Sequence, residues 1–226
     1  IIIWSLGNEC GGGVGPQAMY AWLNENHPDR PVHCEYSNAN ADMESRMYAG
    51  PGWNGSEGRP AVLCEYTHAM GNSNGNLKEY WDHIYASDKH MGGYVWDWAD
   101  QGITQPVPEP FKQNIGKGPV EETFFAYGGW WENAKKIYND DNFCMNGLVA
   151  ADRTPHPGLN AIKYIYRNIH VTAVDVSAGE FKIRNWFDFS NLEDVVDASW
   201  QLLANGNVIA TGTITELDIP ARSEHG

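Results

Sequence analysis

Two glutamates stand where short apolar runs give way to polar loops. Glu65 closes Ala61-Val62-Leu63-Cys64, a run opened by Arg59-Pro60, and leads into Tyr66-Thr67-His68-Ala69-Met70-Gly71-Asn72-Ser73. Glu9 follows Ile1-Ile2-Ile3-Trp4-Ser5-Leu6 in the loop Gly7-Asn8-Glu9-Cys10-Gly11-Gly12-Gly13. A parallel α/β barrel gathers the ends of its strands on one face and places catalytic groups there. Two carboxylates converging on such a face can cleave a glycoside. One protonates the leaving oxygen, and the other attacks the anomeric carbon or activates water. A separation of ~5 Å gives retention and one of ~6.5–9.5 Å gives inversion, and sequence leaves that choice open. Glu35 rivals Glu65, because Arg30-Pro31-Val32-His33-Cys34-Glu35-Tyr36 echoes the stretch ending in Cys64-Glu65-Tyr66. A plainer assignment makes Glu9 a helix cap and gives Glu65 an arginine partner.

The neighbouring side chains suit a sugar site. His68, three residues past Glu65, can hydrogen-bond a hydroxyl, or simply pack in its loop. Asn8 and Tyr48 lie near predicted strand ends, where they can orient a substrate or tune an acid. Trp96 and Trp98 alternate along Tyr94-Val95-Trp96-Asp97-Trp98, so one of them faces the barrel centre. A flat indole there stacks on the apolar face of a pyranose, although both could equally be core. Asp97 and Asp100 read as structural acids that bond loop amides.

These groups need elements to hold them. Ile1 to Leu6 reads as a parallel strand covered on both faces. A helix follows, with Pro16 in its first turn and Met19, Trp22 and Leu23 at i, i+3, i+4, ending before Pro28. Leu77, Tyr80, Trp81, Ile84 and Tyr85 mark a second helix, and Gly92-Gly93 leads into the Tyr94–Trp98 strand. Strand, helix and strand at this spacing indicate βα units and a parallel sheet. Asn38 to Asn54 is polar, with a short apolar centre at Met47-Tyr48. Gln101 to Val120 is rich in Pro and Gly and reads as a long loop. Asp152-Arg153-Thr154-Pro155-His156-Pro157 marks a boundary. Beyond about His170 the pattern alternates, at Val174/Val176, Phe181/Ile183 and Trp200/Leu202, and Asn205-Gly206 is a hairpin signal. The fold class is therefore α/β, with a barrel-type portion over 1–157 and a small antiparallel β-sandwich over 158–226.

Composition narrows the function classes. The 226 residues are 42% hydrophobic and 12% aromatic, enough for a core, and carry a net charge of −14. That acid excess repels phosphates, so neither nucleic acid nor an anionic membrane is an expected partner. A neutral ligand such as a sugar fits. Cys10, Cys34, Cys64 and Cys144 form no C-x-x-C pair, and buried free thiols point to a reducing, cytoplasmic compartment. No stretch approaches the ~20 apolar residues of a membrane span. A chain that opens inside a strand, without Met, is expected to be a piece of a longer polypeptide.

Ser5-Leu6-Gly7-Asn8-Glu9, Cys64 to Ser73, Gly92 to Trp98 and Phe143-Cys144-Met145-Asn146-Gly147-Leu148, in this order, resemble the large β-galactosidases of glycoside hydrolase family two. Asp152 to Pro157 fits the same group. The resemblance implies a retaining double displacement on terminal β-D-galactosides such as lactose. Glu65 would be the nucleophile, and Glu9 the acid/base and a magnesium ligand. Asn8 would contact the sugar 2-hydroxyl, Tyr48 and His68 would support the transition state, and Trp96 would floor the galactose site. The Phe143 carbonyl and Asn146 would bind sodium. Glu35 would be structural. The implied fold is a (β/α)8 barrel entered at about its fourth strand, followed by an immunoglobulin-like sandwich, in a parent that is a homo-oligomer.

Cys10 departs from the serine usual after the acid/base glutamate. The earlier barrel strands, with further magnesium ligands and sugar-binding histidines, are not in this sequence. An isolated half barrel is expected to expose strand edges and apolar surface. Two alternatives stay open: a related family-two hydrolase acting on a β-glucuronide or β-mannoside, and an inactive fragment or sugar-binding module.

Overall fold

The computed structural model describes residues 1–56, 58–112, 122–128, 130–131 and 142–226. The chain divides into two compact units, Ile1–Ile165 and Tyr166–Gly226. The first unit begins with β1 (Trp4–Ser5), α1 (Val14–Asn26) and β2 (Val32–His33), and β1 and β2 pair in parallel. Next come β3 (Glu44–Met47), β4 (Ala61–Tyr66), α2 (Leu77–Tyr85) and β5 (His90–Val95). These three strands form a parallel sheet with β4 in the middle, as the strand–helix–strand spacing requires. Then β6 (Ile103–Pro106), the short α3 (Glu109–Lys112) and β7 (Thr123–Ala126) follow, with β6 and β7 antiparallel, and α4 (Pro157–Ile165) closes the unit. Among the described residues no closed barrel forms, since the strands fall into separate small sheets.

The centre of this unit is apolar and aromatic. Ala61, Val62 and Leu63 of β4 are fully buried beside Tyr66. Leu77, Tyr80 and Ile84 give α2 its buried stripe, one turn apart as the periodicity predicts. The Tyr66 and Tyr80 rings meet edge to face at 5.1 Å, and the Trp81 indole N–H donates to the Tyr66 hydroxyl at 3.0 Å.

Several expectations are corrected. Gly92-Gly93 lies inside β5 rather than ahead of it, so the strand ends at Val95 and Trp96–Trp98 lie beyond it. The cause is a close approach: a Cβ on Gly93 would lie 2.9 Å from the Tyr66 ring. Glu44–Met47, in a polar stretch given no element from sequence, is a strand, because its acid is matched. Arg59 donates to Glu44 at 3.2 Å, and the Ser56 amide and hydroxyl donate to the same carboxylate. Ile103–Pro106 is a strand within the stretch read as a long loop, and residues 113–120 of that stretch lie outside the described residues. Ile1 and Ile2 are 78% and 81% exposed rather than covered, and α1 buries none of its residues. Its Met19 and Trp22 instead line an open apolar cleft of about 440 Å³ against Trp4 and Leu6. The expectation of exposed apolar surface is met there.

The second unit is antiparallel throughout its described strands. β8 (Ile169–Asp175), β9 (Glu180–Asn185) and β12 (Glu224–His225) form one sheet, and β10 (Ala198–Ala204) and β11 (Asn207–Ile214) form a hairpin. The hairpin turns at Asn205-Gly206, with φ of 48° and 83°, the left-handed pair that this dipeptide signals. Leu192, Leu217 and Ile219 form the core, packed by Ile169, Ile183, Phe187 and Ile214.

Two outcomes follow for stability. Ile219→Ala should destabilise by about 2–5 kcal/mol in chemical denaturation, while Ile209→Ala at an exposed position should stay within about 0.5 kcal/mol. The Ser56 donors, then Arg59, hold the Glu44 carboxyl below its ordinary value, so its stabilisation is present above the unfolded pKa and is lost as pH falls toward the folded one. Glu44→Ala, which strands Arg59 and Ser56, should cost about 1–3 kcal/mol near neutrality and remove this acid-side slope.

Candidate active site

The β3/β4 register builds the first half of the site. Met47 pairs with Glu65, so the residue after β3, Tyr48, comes to rest at the end of β4. The Tyr48 amide donates to the Glu65 carbonyl at 2.8 Å, and the Tyr48 hydroxyl donates to Glu65 Oε2 at 2.8 Å. Tyr48 has φ 47°, a left-handed turn out of the strand that brings backbone and ring onto the same neighbour. Glu65 is 8% exposed. Burial pushes its carboxyl above its ordinary value; the Tyr48 hydroxyl pulls it back, the charges of Glu9 and Glu35 push it up, and His68 lowers it. Burial also pushes the Tyr48 hydroxyl well up, and its bond to Glu65 adds to this, so the proton stays on the tyrosine.

The second half is the loop after β1. Glu9 has φ 49° and is exposed, and its amide donates to Glu35 Oε2 at 2.9 Å. The Glu35 amide in turn donates to the Gly7 carbonyl at 3.3 Å. Glu35, 5% exposed, thus holds the Glu9 loop by its backbone. Sequence could place Glu35 at a strand end through its echo of Glu65, but not tell that its carboxylate turns to a neighbouring main chain. Glu9 bears on both Glu65 and Tyr48 electrostatically, which brings the two strand-end acids into one field.

A chain of side chains that no sequence motif announces ties the two halves together. Ser5 Oγ of β1 bonds His33 Nδ1 of β2 at 3.0 Å, and His33 Nε2 bonds Ser45 Oγ of β3 at 2.7 Å. Burial pushes the Cys64 thiol of β4 up, and the Ser45 hydroxyl pulls it partly back. Burial lowers the His33 pKa, so the neutral ring donates at one nitrogen and accepts at the other. Side chains thus link β1, β2 and β3, and the β3–β4 ladder continues the order, with Glu9 in the loop after β1 and Glu65 one residue before the C-terminal end of β4. Asp42 seals the β2–β3 seam, accepting from the Val32 amide at 2.7 Å and from the Tyr20 hydroxyl at 2.7 Å.

The remaining residues gather beyond Glu65. The His68 ring lies 5.9 Å from that of Tyr48 and 5.8 Å from that of Phe143. Trp96 is half-buried and anchored by backbone: its amide donates to Tyr66 at 3.2 Å, and its carbonyl accepts from Ala69 at 2.7 Å. Trp98 is exposed, but neither indole lies on a strand, so the alternation expected of them is not what parts them. Asn8 is exposed on the Glu9 loop. Asp100 accepts from the Gly147 amide at 2.8 Å, the loop bond expected for it, and Asp97 Oδ2 accepts from Gln101 at 2.9 Å.

Two oxygens bear on the ions. Asn146 is 1% exposed, and its Oδ1, like Asp97 Oδ1, is buried without a hydrogen-bond partner. A buried acceptor lacking a donor suits a hard cation, so Asn146 and the Phe143 carbonyl fit a sodium ion in donor type. Magnesium is another matter. Among the described residues no group of three or more His, Cys, Asp and Glu side chains is placed to hold a metal, so Glu9 alone does not make that site.

Comparison with known proteins identifies the family. The model of glycosyl hydrolases family 2, TIM barrel domain, matches residues 1–171, and that of β-galactosidase domain 4 matches residues 181–225. A β-galactosidase of Photobacterium profundum is 39% identical over 246 residues, covering 99% of this chain and 22% of that protein. One from Klebsiella pneumoniae is 38% identical over 235 residues, covering 95% of this chain and 21% of its own length. The chain thus spans about a fifth of the curated relatives it matches. Among solved structures, a family-2 β-galacturonidase from Eisenbergiella tayi superposes with a TM-score of 0.47 at 15% identity, over 75% of this chain and 34% of that one, and the assignment does not rest on it. The match across the strands that carry Glu9 and Glu65 settles the family: the chain belongs to the glycosyl hydrolases of family 2 and contains part of their TIM barrel domain.

Proposed function

We propose that this chain is the segment of a retaining β-galactosidase that carries both catalytic carboxylates. The observation that carries the reading is Glu65: a buried carboxylate at a strand end, held by the Tyr48 hydroxyl at 2.8 Å, with the Glu9 charge acting on it from the next sheet. Glu65 is the nucleophile. The Tyr48 bond fixes which oxygen faces the sugar and leaves the other lone pairs for attack on the anomeric carbon. Glu9, exposed on a loop fixed by Glu35, protonates the departing glycosidic oxygen and then takes a proton from the water that hydrolyses the ester.

Asn8 and His68 bond sugar hydroxyls, and Trp96 supplies a flat apolar floor. Sodium at Phe143 and Asn146 would supply an oxygen-seeking charge for a galactose hydroxyl. Magnesium beside Glu9 requires ligands from elsewhere in the polypeptide. The side-by-side order of β1 to β5 supports a barrel portion beginning near the fourth strand. Two antiparallel sheets around one core support an immunoglobulin-like sandwich for the second unit. The parent is read as a cytoplasmic homo-oligomer acting on lactose-like galactosides.

The decisive experiment is mechanism-based labelling. A 2-deoxy-2-fluoro-β-galactoside given to the full-length polypeptide should attach to Glu65, found by peptide mass mapping; label on Glu35, or none, would refute the assignment. Glu9→Gln should slow hydrolysis by about 10²–10⁴-fold on substrates with poor leaving groups, and far less when the leaving group needs no proton. Attack requires ionised Glu65, so activity falls as pH drops through its pKa. Tyr48→Phe removes a bond that favours the ionised form, so the acid limb of kcat/KM should move up by about one pH unit. A limb that moves down, or stays, speaks against Tyr48 as the partner.

A further inference from the structure

The two candidate carboxylates belong to different sheets. Glu9 follows β1, which pairs with β2, and Glu65 lies on β4, which pairs with β3. Among the described residues no ladder joins β2 to β3, so strand pairing alone does not set the distance between the halves. Other bonds cross the seam. At its start the Asp42 amide donates to the Val32 carbonyl at 2.8 Å, and the Val32 amide donates to Asp42 Oδ2 at 2.7 Å. One residue nearer the site, His33 bridges it: Nε2 bonds Ser45 Oγ at 2.7 Å, and Nδ1 bonds Ser5 Oγ at 3.0 Å. Ser5 and His33 are register partners in the β1–β2 ladder, so that bond repeats a restraint the backbone already supplies. The Ser45 bond spans the seam itself. Ser45 is 6% exposed and lies three residues before Tyr48, the partner of Glu65. A neutral imidazole suits this place. Burial keeps the ring uncharged, and its two nitrogens offer one donor and one acceptor to the two hydroxyls.

We propose that His33 is a positioning residue for the reaction: its bond to Ser45 fixes the β1–β2 pair against β3 and β4, and so sets the distance between Glu9 and Glu65. The inference rests on the proposed roles of Glu9 as acid/base and Glu65 as nucleophile. His33 acts through the strands and not on the sugar. Ser5, its other partner, stands four residues before Glu9. Proton transfer from Glu9 needs a heavy-atom distance of ~2.6–3.2 Å to the leaving oxygen. A misplacement of ~1 Å costs about 10²-fold. Attack by Glu65 is secured differently, because Tyr48 and Glu65 are joined on one side of the seam through the β3–β4 register. Loosening the seam therefore harms the step that needs Glu9 and spares the one that needs Glu65 alone. A residue that only held the fold together would harm both.

The test measures kcat/KM of the full-length polypeptide on two galactosides, one with a poor leaving group and one whose leaving group needs no proton. His33→Ala and His33→Asn, whose side chains end short of Ser45, should lose about tenfold or more on the first and little on the second. Labelling of Glu65 by the 2-fluoro sugar should keep its wild-type rate. His33→Gln, whose amide reaches as far as Nε2, should restore the lost activity. Ser45→Ala removes the same bond from the other side, and it carries the test where His33→Ala does not fold. The double variant should be no worse than either single one. Equal losses on both substrates, no loss, a Gln variant as impaired as the Ala variant, or additive losses would each overturn the proposal. Wild-type protein that hydrolyses neither galactoside and takes no label at Glu65 defeats the enzymatic reading and this inference with it. Losses blind to the leaving group, in a protein that is active and labelled, defeat the inference alone.

Discussion

The parallel register of β3 on β4 is the constraint from which the site follows. Because Met47 sits opposite Glu65, the turn out of β3 places Tyr48 over the end of β4, and backbone and hydroxyl both bond the same residue. A slip of one residue would reverse every side chain on the strand and separate the pair. The transverse chain Ser5–His33–Ser45 extends this constraint to β1, and so to the loop of Glu9. Its central histidine is neutral because it is buried, which lets it serve a donor on one side and an acceptor on the other.

Three buried glutamates show how environment divides one residue type into roles. Glu44 meets Ser56 and Arg59, and its carboxyl is held down as a fixed anion. Glu35 takes the amide of Glu9 and serves as a clamp for main chain. Glu65 is pushed up by burial and by the charges of Glu9 and Glu35, against the pull of the Tyr48 hydroxyl. Burial without a matching cation raises the carboxyl of Glu65, whereas Ser56 and Arg59 hold that of Glu44 down. Glu35 is set apart differently, by an oxygen already taken by the Glu9 amide.

Exposure is uneven across the first unit. The β3–β4–β5 sheet is covered by α2, while β1 pairs along one edge and leaves Ile1, Ile2, Met19 and Trp22 in solvent. An apolar cleft open to solvent, such as the one Met19 and Trp22 line with Trp4 and Leu6, is a surface that other protein normally covers. In the second unit the core is small, three fully buried side chains with a ring of partly buried ones, and the hairpin turn does much to set its register.

The amino-acid sequence by itself determined the elements whose signals are local. The stripe of α2 follows from 3.6-residue spacing, β4 from an unbroken apolar run, and the Asn205-Gly206 turn from its tolerance of positive φ; the motif around Glu9 and Glu65 identified the family. Only the tertiary structure decided which groups meet. β3 carries no strand signal of its own, because Glu44 is apolar in neither type nor pattern and becomes strand-compatible only once Arg59 and Ser56, distant in the chain, satisfy it. Gly93 reads as lying ahead of its strand because the Tyr66 ring that excludes a side chain there comes from another strand. The role of Glu35 and the His33 relay share that cause. Each is a pairing across strands, and a linear pattern carries no information about the distance between side chains on different strands until packing fixes it.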